Sequence, residues 1–439
     1  MSSTARNAVI GLAAALIAVL LVATGFLARV VTEPAATATT VEATDGLIEE
    51  TTRQSDGDFD GDLLAEIARV LQQDFVDESR VDPELLREGA IQGIFDALND
   101  PHSAYIDPDT YALSRDDFEG AFQGIGATVS KQENYVVIVQ PIPDTPAARA
   151  GLQSGDIILA VNGQDAENWS VEQAVLEIRG PQGTSVDITI RRSDGSEETL
   201  TIVRDEIPVY SVTTTPPTGQ LLDEAGEEVE EFAYIRILQF SRNTPQELQD
   251  AITAAEAAGA QGLIIDVRSN PGGLLRETID IADMFLDEGV IVRQVDRAGN
   301  ESIASARDGQ FTTLPVVILQ DEFSASGSEL FAAALQEHGR ATVIGSPSFG
   351  KGTVNHAVEL SNGGAVYVSI ARWLTPDGNQ IEGRGITPDI AITLTLEDIE
   401  AQRDVAIFRA VNVLRGEPIP EPAAATPEAT GTATATAAP

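Results

Sequence analysis

The sequence predicts an α+β chain of several units: an apolar N-terminal helix, a small helical region, a β-rich module and an α/β core. Three observations lead there. An uncharged apolar run lies near the start, the apolar period shifts from helical to alternating near residue 120, and strand and helix patterns take turns from about 232 onward. At about 100–200 residues per domain, a chain of this length holds two to four domains.

Residues 8–28 read AVIGLAAALIAVLLVATGFLA, 21 positions without a charge, between Arg6 and Arg29. About 20 apolar residues suffice to span a bilayer, whereas the apolar stretch of a signal peptide is only about 7–15 long. Segment 1–31 is therefore read as an uncleaved membrane anchor, with a long cleaved signal as the alternative; either exports the rest. Arg6 and the amino terminus against Arg29 give a weak orientation signal, since acidic residues count little. Residues 32–58, rich in Thr, Ala and acids, are expected to form a flexible linker.

The helical region is expected over 59–119. Leu63, Leu64, Ile67, Val70 and Leu71 keep helical spacing, and Asp82-Pro83 offers an N-cap followed by Pro at the first helical position, ahead of Leu86, Ala90, Ile94 and Leu98. The β-rich module spans 120–207. Its strands are Tyr135–Val139, Ile157–Val161, Val186–Ile190 and Thr199–Val203, interrupted by one helix that the capping pattern Ser170-Val171-Glu172-Gln173 opens. The core spans 208–416. Phe232–Phe240 reads as a strand, Thr244-Pro245-Gln246-Glu247 as a capping box opening a helix, and Leu263–Val267 and Val316–Leu319 as strands buried on both faces. Helices are expected at about 274–286 and 327–338, with 211–231 as a surface loop or hairpin. The Pro/Ala/Thr tail 417–439 is expected to be disordered.

Composition narrows the chemistry. Lys and Arg number 27 against 69 Asp and Glu, a formal charge of −42, which argues against nucleic acid as a partner. No cysteine is present, so disulfides, thiol catalysis and thiolate metal sites are excluded. Three scattered histidines, His102, His338 and His356, leave little for a zinc site or a Ser-His-Asp triad, and no metal site is predicted. Only two of the basic residues are lysines, Lys131 and Lys351, a bias that with the acidity reads as solubility or salt adaptation as much as function.

Three segments at strand ends could carry chemistry. Asp266-Val267-Arg268-Ser269-Asn270-Pro271-Gly272-Gly273 pairs glycines after a buried strand, an arrangement that suits an oxyanion or a phosphate and equally an ordinary turn. Phe323-Ser324-Ala325-Ser326-Gly327-Ser328-Glu329 puts serines at a helix N-terminus, where they are activated groups or N-caps. Phe349-Gly350-Lys351-Gly352-Thr353 fails the phosphate-loop pattern because Gly352 follows the lysine, but a buried lysine, unlike arginine, can lose its proton near neutrality and serve as base to a serine. In the β-rich module, Phe122-Gln123-Gly124-Ile125-Gly126-Ala127 could expose successive N–H groups to a carboxylate, beside a strand edge able to take an extended peptide.

Taken in order, these segments resemble the carboxyl-terminal processing (tail-specific) peptidases, serine proteases with an inserted PDZ domain. Asn99-Asp100-Pro101-His102-Ser103, Phe122–Gly126, Ala147–Ile158 with Val161-Asn162-Gly163, Ile178-Arg179-Gly180 with Gly183-Thr184, and the D-x-R-x-N-P-G-G, S-A-S-x-S-E and F-G-K-G-T motifs match over about 60–400. The resemblance implies a PDZ module and an α/β (ClpP/crotonase-like) protease core. It implies Ser326 as nucleophile, chosen over Ser324 and Ser328, with Lys351 as general base. It further implies Gly272 and Gly327 as the oxyanion hole, and Gly124, Ile125, Gly126 and Ala127 as the seat of a substrate carboxylate. Arg179 is a candidate for coupling the PDZ module to the active site. The family usually has Gln four residues after the lysine; this chain has Asn355, a shorter amide that could orient Lys351, with His356 as a substitute.

The expected function is an envelope-anchored serine endopeptidase, outside the cytoplasm, that recognises C-terminal tails of proteins and needs no cofactor. Its partners are peptides with free C-termini, the membrane through the N-terminal helix, and a second copy or an activating adaptor. The alternative is a PDZ tail-binding adaptor with a weak or inactive core; an acyl-CoA enzyme of crotonase type is disfavoured by export and by the PDZ insertion.

Overall fold

The computed structural model describes residues 60–307, 309–392, 398, 401 and 403–418, with backbone alone for 114–119. The apolar run 8–28, the linker and nearly all of the tail lie outside the described residues. Among the described ones, no helix is long and apolar enough to cross a membrane.

The helical region begins as its caps dictate. Asp60 accepts from Leu63 N–H at the start of helix Gly61–Asp74, and Asp82 accepts from Glu84 N–H at the start of helix Pro83–Leu98, which ends on Asn99 in the left-handed region. Neither helix buries a side chain; Leu63, Ile67, Val70 and Leu85 stand exposed. The region is not wholly helical. After the Asn99–Ser103 turn, Ala104–Ile106 is a strand that pairs with Ala365–Leu374 of the core, and Ile106 and Tyr111 pack on Leu274, Ala365 and Tyr367. Helix Pro108–Glu119 follows and packs against the helix of the PDZ-like module.

That module is a six-stranded antiparallel sheet around its own core. Ala127–Gln132, Tyr135–Pro141, Ile157–Val161, Ser185–Arg191 and Glu197–Val203 lie in that order, with Gln164–Asp165 beside Ile157–Val161. Alternation decides what goes inside: Val186, Ile188 and Ile190 are fully buried, while the residues between them face outward. Helix Val171–Ile178 covers the sheet, and the Ser170 hydroxyl accepts from Gln173 N–H as its sequence implies. The chain enters and leaves the module through one two-stranded ribbon, Ala121–Gly124 paired with Asp205–Pro208.

The core has two sheets. The first runs Val212–Thr213, Ala233–Ile237, Leu263–Asp266, Val316–Gln320, Ala341–Gly345 and Ile390–Ala391, parallel after its first pair. Successive residues of its central strands serve opposite faces, as both-side burial requires. Leu263 and Ile265 pack with helices Thr244–Ala257, Leu275–Asp283 and Gly327–Glu337, whereas Ile264 packs with Ala406, Ile407 and Ala410 of helix Val405–Arg415. The second sheet is antiparallel: Ala104–Ile106, Ala365–Leu374, Val290–Asp296 and Glu301–Ser305, with Thr353–Glu359 also on Ala365–Leu374.

One cap differs from its sequence reading. Asn243, not Thr244, is the N-cap of helix Thr244–Ala257. Thr244 Oγ1 accepts from Ser241 N–H, and Glu247 turns away to accept from Ser211 N–H, the Ser211 hydroxyl and Val212 N–H. The glutamate thus fastens the start of the edge strand.

Candidate active site

Three neighbouring parallel strands end at the same edge of the sheet, and each hands its chain to one of the motif segments. Leu263–Asp266 leads to Arg268–Gly273, Val316–Gln320 to Ser324–Glu329, and Ala341–Gly345 to Ser348–Gly352. Carboxyl ends of parallel strands are where such folds place ligands.

Glu329 draws the second and third segments together. It is completely buried, and its carboxylate accepts from Ser326 N–H (2.8 Å), Gly350 N–H (2.6 Å), Lys351 N–H (2.9 Å) and the Ser348 hydroxyl (2.6 Å). Burial pushes its pKa above the usual carboxylate range against the pull of those bonds. The first segment abuts the second just as tightly. A Cβ on Gly272 would lie 2.8 Å from both Gly327 N and Ser326 Cβ, so only glycine fits there.

The three serines differ. The Ser324 hydroxyl donates to Val267 O and the Ser328 hydroxyl to Asn270 O, each at 2.8 Å and each deeply buried. Ser326 is 8 % exposed and stands as N-cap of helix Gly327–Glu337 at φ +53°, ψ −111°, far from any region that L-residues favour.

Lys351 is 6 % exposed. Burial pushes its amine down to about 8, opposed by the negative charges of Glu329, Glu382 and Asp100. Its Nζ lies 5.5 Å from the centre of the Tyr367 ring. Burial would also raise Asp100, but the Ser103 hydroxyl (2.6 Å) and His102 N–H (3.0 Å) donate to it and hold it below the ordinary carboxylate range.

The other expected site residues have their own partners. Gly272 N–H donates to Asn270 Oδ1 at 2.8 Å, so that donor already has an acceptor within the chain. Gly327 N–H has none among the described residues. The Asn355 amide donates to His102 O (2.7 Å) and the Ser369 hydroxyl (3.1 Å) and accepts from Thr353 Oγ1 (3.2 Å). His356 is the next residue of the strand and pairs with Val368.

In the PDZ-like module the carbonyls of Ile125 and Gly126 accept from Ala147 N–H (2.8 Å) and Ile142 N–H (3.0 Å). A trans peptide points its N–H opposite its carbonyl, so Gly126 N–H and Ala127 N–H turn away from that segment. Gly126 needs its φ of +80°, and a Cβ there would strike Thr145. The Ile125 side chain is buried in the module's core. Arg179 caps helix Val171–Ile178 and lays its guanidinium 4.3 Å from the centre of the Phe122 ring, on the ribbon to the core.

Sequence profiles agree with this layout: peptidase family S41 matches residues 231–392, the PDZ domain 117–191, and the N-terminal domain of the activating protease CtpB 25–110. The carboxy-terminal processing proteases CtpA and CtpB of Bacillus subtilis are 36% and 37% identical, over 77% and 78% of this chain and 70% of each of theirs. The chain belongs to the carboxy-terminal processing proteases. A carboxy-terminal-processing protease of Bartonella bacilliformis is 38% identical over 74% of both chains. The solved photosystem II D1 C-terminal processing protease aligns over 79% of this chain and 96% of its own, with 27% identity and a TM-score of 0.43. This protease is thus a serine-type peptidase carrying a PDZ domain.

Sequence reasoning missed Glu382. It lies in Glu382-Gly383-Arg384-Gly385, a second glycine-spaced charged motif that follows no predicted strand, and that spacing was the available signal.

Proposed function

We propose that this protease is an envelope-anchored endopeptidase that takes the free C-terminal tail of a protein into its PDZ domain and cleaves with a Ser326–Lys351 dyad. The observation that carries the reading is the Glu329 carboxylate, which ties the main chain at Ser326 to that at Lys351 while the lysine amine is buried and pushed down to about 8. In that environment a useful fraction of the amine is neutral and can take the Ser326 hydroxyl proton as Oγ attacks the peptide carbonyl.

The developing oxyanion meets Gly327 N–H. Gly272 N–H joins when the Asn270 side chain gives way, each donor of this kind being worth about 2.7–4 kcal/mol. The protonated lysine returns its proton to the leaving amine, and water then releases the acyl-enzyme. The outward N–H groups of Gly126 and Ala127, in the segment Gly124 to Ala127, suit a terminal carboxylate, and the contact of Arg179 with Phe122 supports a route for tail binding along the ribbon.

The uncharged run 8–28 supports anchoring with the catalytic part outside the cytoplasm. The exposed apolar side chains of helices Gly61–Asp74 and Pro83–Leu98 support a second copy as partner of the helical region. Light scattering of the full-length chain in detergent should then give twice the chain mass; a single mass leaves an adaptor in that place.

The function itself is tested with an unfolded reporter ending in a free apolar C-terminus or the same tail amidated. The full-length chain should cleave only the free tail, and Ser326→Ala and Lys351→Ala should cleave neither. Free-tail binding without cleavage or labelling by a serine-hydrolase probe would replace this reading with the tail-binding adaptor.

A further inference from the structure

The lysine loop is gripped by a segment that the dyad itself does not use. Glu382-Gly383-Arg384-Gly385 lies against Gly350-Lys351-Gly352. A Cβ on Gly352 would stand 2.3 Å from Glu382 N, one on Gly350 would stand 3.0 Å from Arg384 N, and Gly383 N–H donates to Gly350 O at 2.9 Å. Neither glycine can accept a side chain unless main chain moves.

From this segment the Glu382 carboxylate reaches in two directions. Oε2 accepts from Gly352 N–H at 2.8 Å, and Oε1 meets His102 Nε2 at 2.9 Å. The carbonyl of the same His102 accepts from Asn355 Nδ2 at 2.7 Å. The path Asn355–His102–Glu382–Gly352 therefore closes around Lys351, linking the strand residue four positions after it to the amide one position after it. The Asn99–Ser103 turn that carries His102 also brings Asp100, and Ser103 Oγ accepts from Ser369 N–H on the adjoining strand. Glu329, Glu382, Asp100 and the Tyr367 ring are among the groups that face the lysine.

We propose that Glu382 and His102 are positioning residues for Lys351: together they fix its loop and set the negative charge its amine faces, and Asn355 serves the site by holding His102. The proposal rests on the dyad reading, in which the amine is the base. It gives Asn355 a task that does not require the longer glutamine arm. It also explains why the Asn-Asp-Pro-His-Ser turn, distant in sequence, stands at the site.

The test exploits the scarcity of lysine. Selective ¹³Cε-lysine labelling of the full-length chain yields two side-chain signals, and Lys131→Arg leaves that of Lys351. Glu382→Gln keeps an acceptor for Gly352 N–H and removes the charge. It is expected to lower the Lys351 titration midpoint by about half a unit, the partial exposure of Glu382 limiting the effect. The acid limb of the cleavage rate should move with it, and His102→Gln should reduce kcat about tenfold or more with KM unchanged.

A midpoint and acid limb that stay in place in Glu382→Gln, whatever happens to the rate, overturn the proposal. Should Glu382→Gln fail to fold, Glu382→Asp keeps the charge and is expected to hold the midpoint while kcat falls; a midpoint that drops there counts equally against it. The NMR titration reads the amine whether or not it is the base. Cleavage that survives Lys351→Ala therefore sinks the dyad alone, and an unmoved titration sinks the positioning role alone.

Discussion

Replacing Ser326 by glycine should abolish peptide hydrolysis and make the protein more stable. Loss of the hydroxyl removes the proposed nucleophile, and in a serine protease that costs on the order of a millionfold in kcat. The stability gain comes from the backbone. At φ +53°, ψ −111° the serine Cβ is held in a conformation that costs an L-residue about 1–3 kcal/mol. Glycine adopts it freely, at an entropic cost of about 0.5–1 kcal/mol in the unfolded chain. The Ser326 main-chain N–H can still donate to the Glu329 carboxylate after the change. A net gain of about 1 kcal/mol corresponds to about 2–4 °C in Tm for a unit of this size. Ser326→Ala is the control: equally inactive, without the gain. Calorimetry of the three proteins decides, and a glycine variant melting below the alanine one would remove the strain argument.

Lys351→Arg should lower kcat by about 10²–10⁴ although charge and approximate length are kept, because a guanidinium cannot give up its proton in the working range. The same logic fixes the pH profile of the wild type. In the proposed dyad the active form is the neutral amine, so activity belongs to the high-pH side of its titration. Burial brings that titration from 10.5 down to about 8. kcat/KM should therefore rise about tenfold for each unit between pH 6 and 7 and level off above 8. A profile flat from pH 6 to 9, or an arginine variant that retains its rate, would show that another group takes the serine's proton.

The units that obey strict periodicity were legible in the sequence. Four of the six PDZ strands and their helix, the doubly buried strands Leu263–Asp266 and Val316–Gln320, and the helix opening at Gly327 all follow from apolar spacing and caps, whereas Ala127–Gln132 and Gln164–Asp165 do not. The antiparallel sheet of Val290–Asp296, Glu301–Ser305, Thr353–Glu359 and Ala365–Leu374 was not. Its strands lie half-exposed with charged and polar residues among the apolar ones, and tertiary pairing rather than local pattern holds them. Ala104–Ile106 is three residues long and exists because a distant strand accepts it.

Among the candidate site residues, Ser326 and Lys351 stand out by motif and rarity. What joins their segments, the buried Glu329 carboxylate, reads in sequence only as part of a helix N-terminus, and Glu382 as a loop acid. Hydrogen bonds across 22 or 30 residues leave no trace in spacing.

The paired ribbon Ala121–Gly124 and Asp205–Pro208 has a meaning for how such chains are assembled. Both crossings into the PDZ module occur side by side on one short ladder, so its covalent connection to the catalytic body is that of a single loop, beside the packing of helix Pro108–Glu119 on the module's helix. An insert held this way can be lengthened, exchanged or deleted by recombination while the fold on either side keeps its register. The PDZ module and the peptidase core are thereby free to evolve at separate rates.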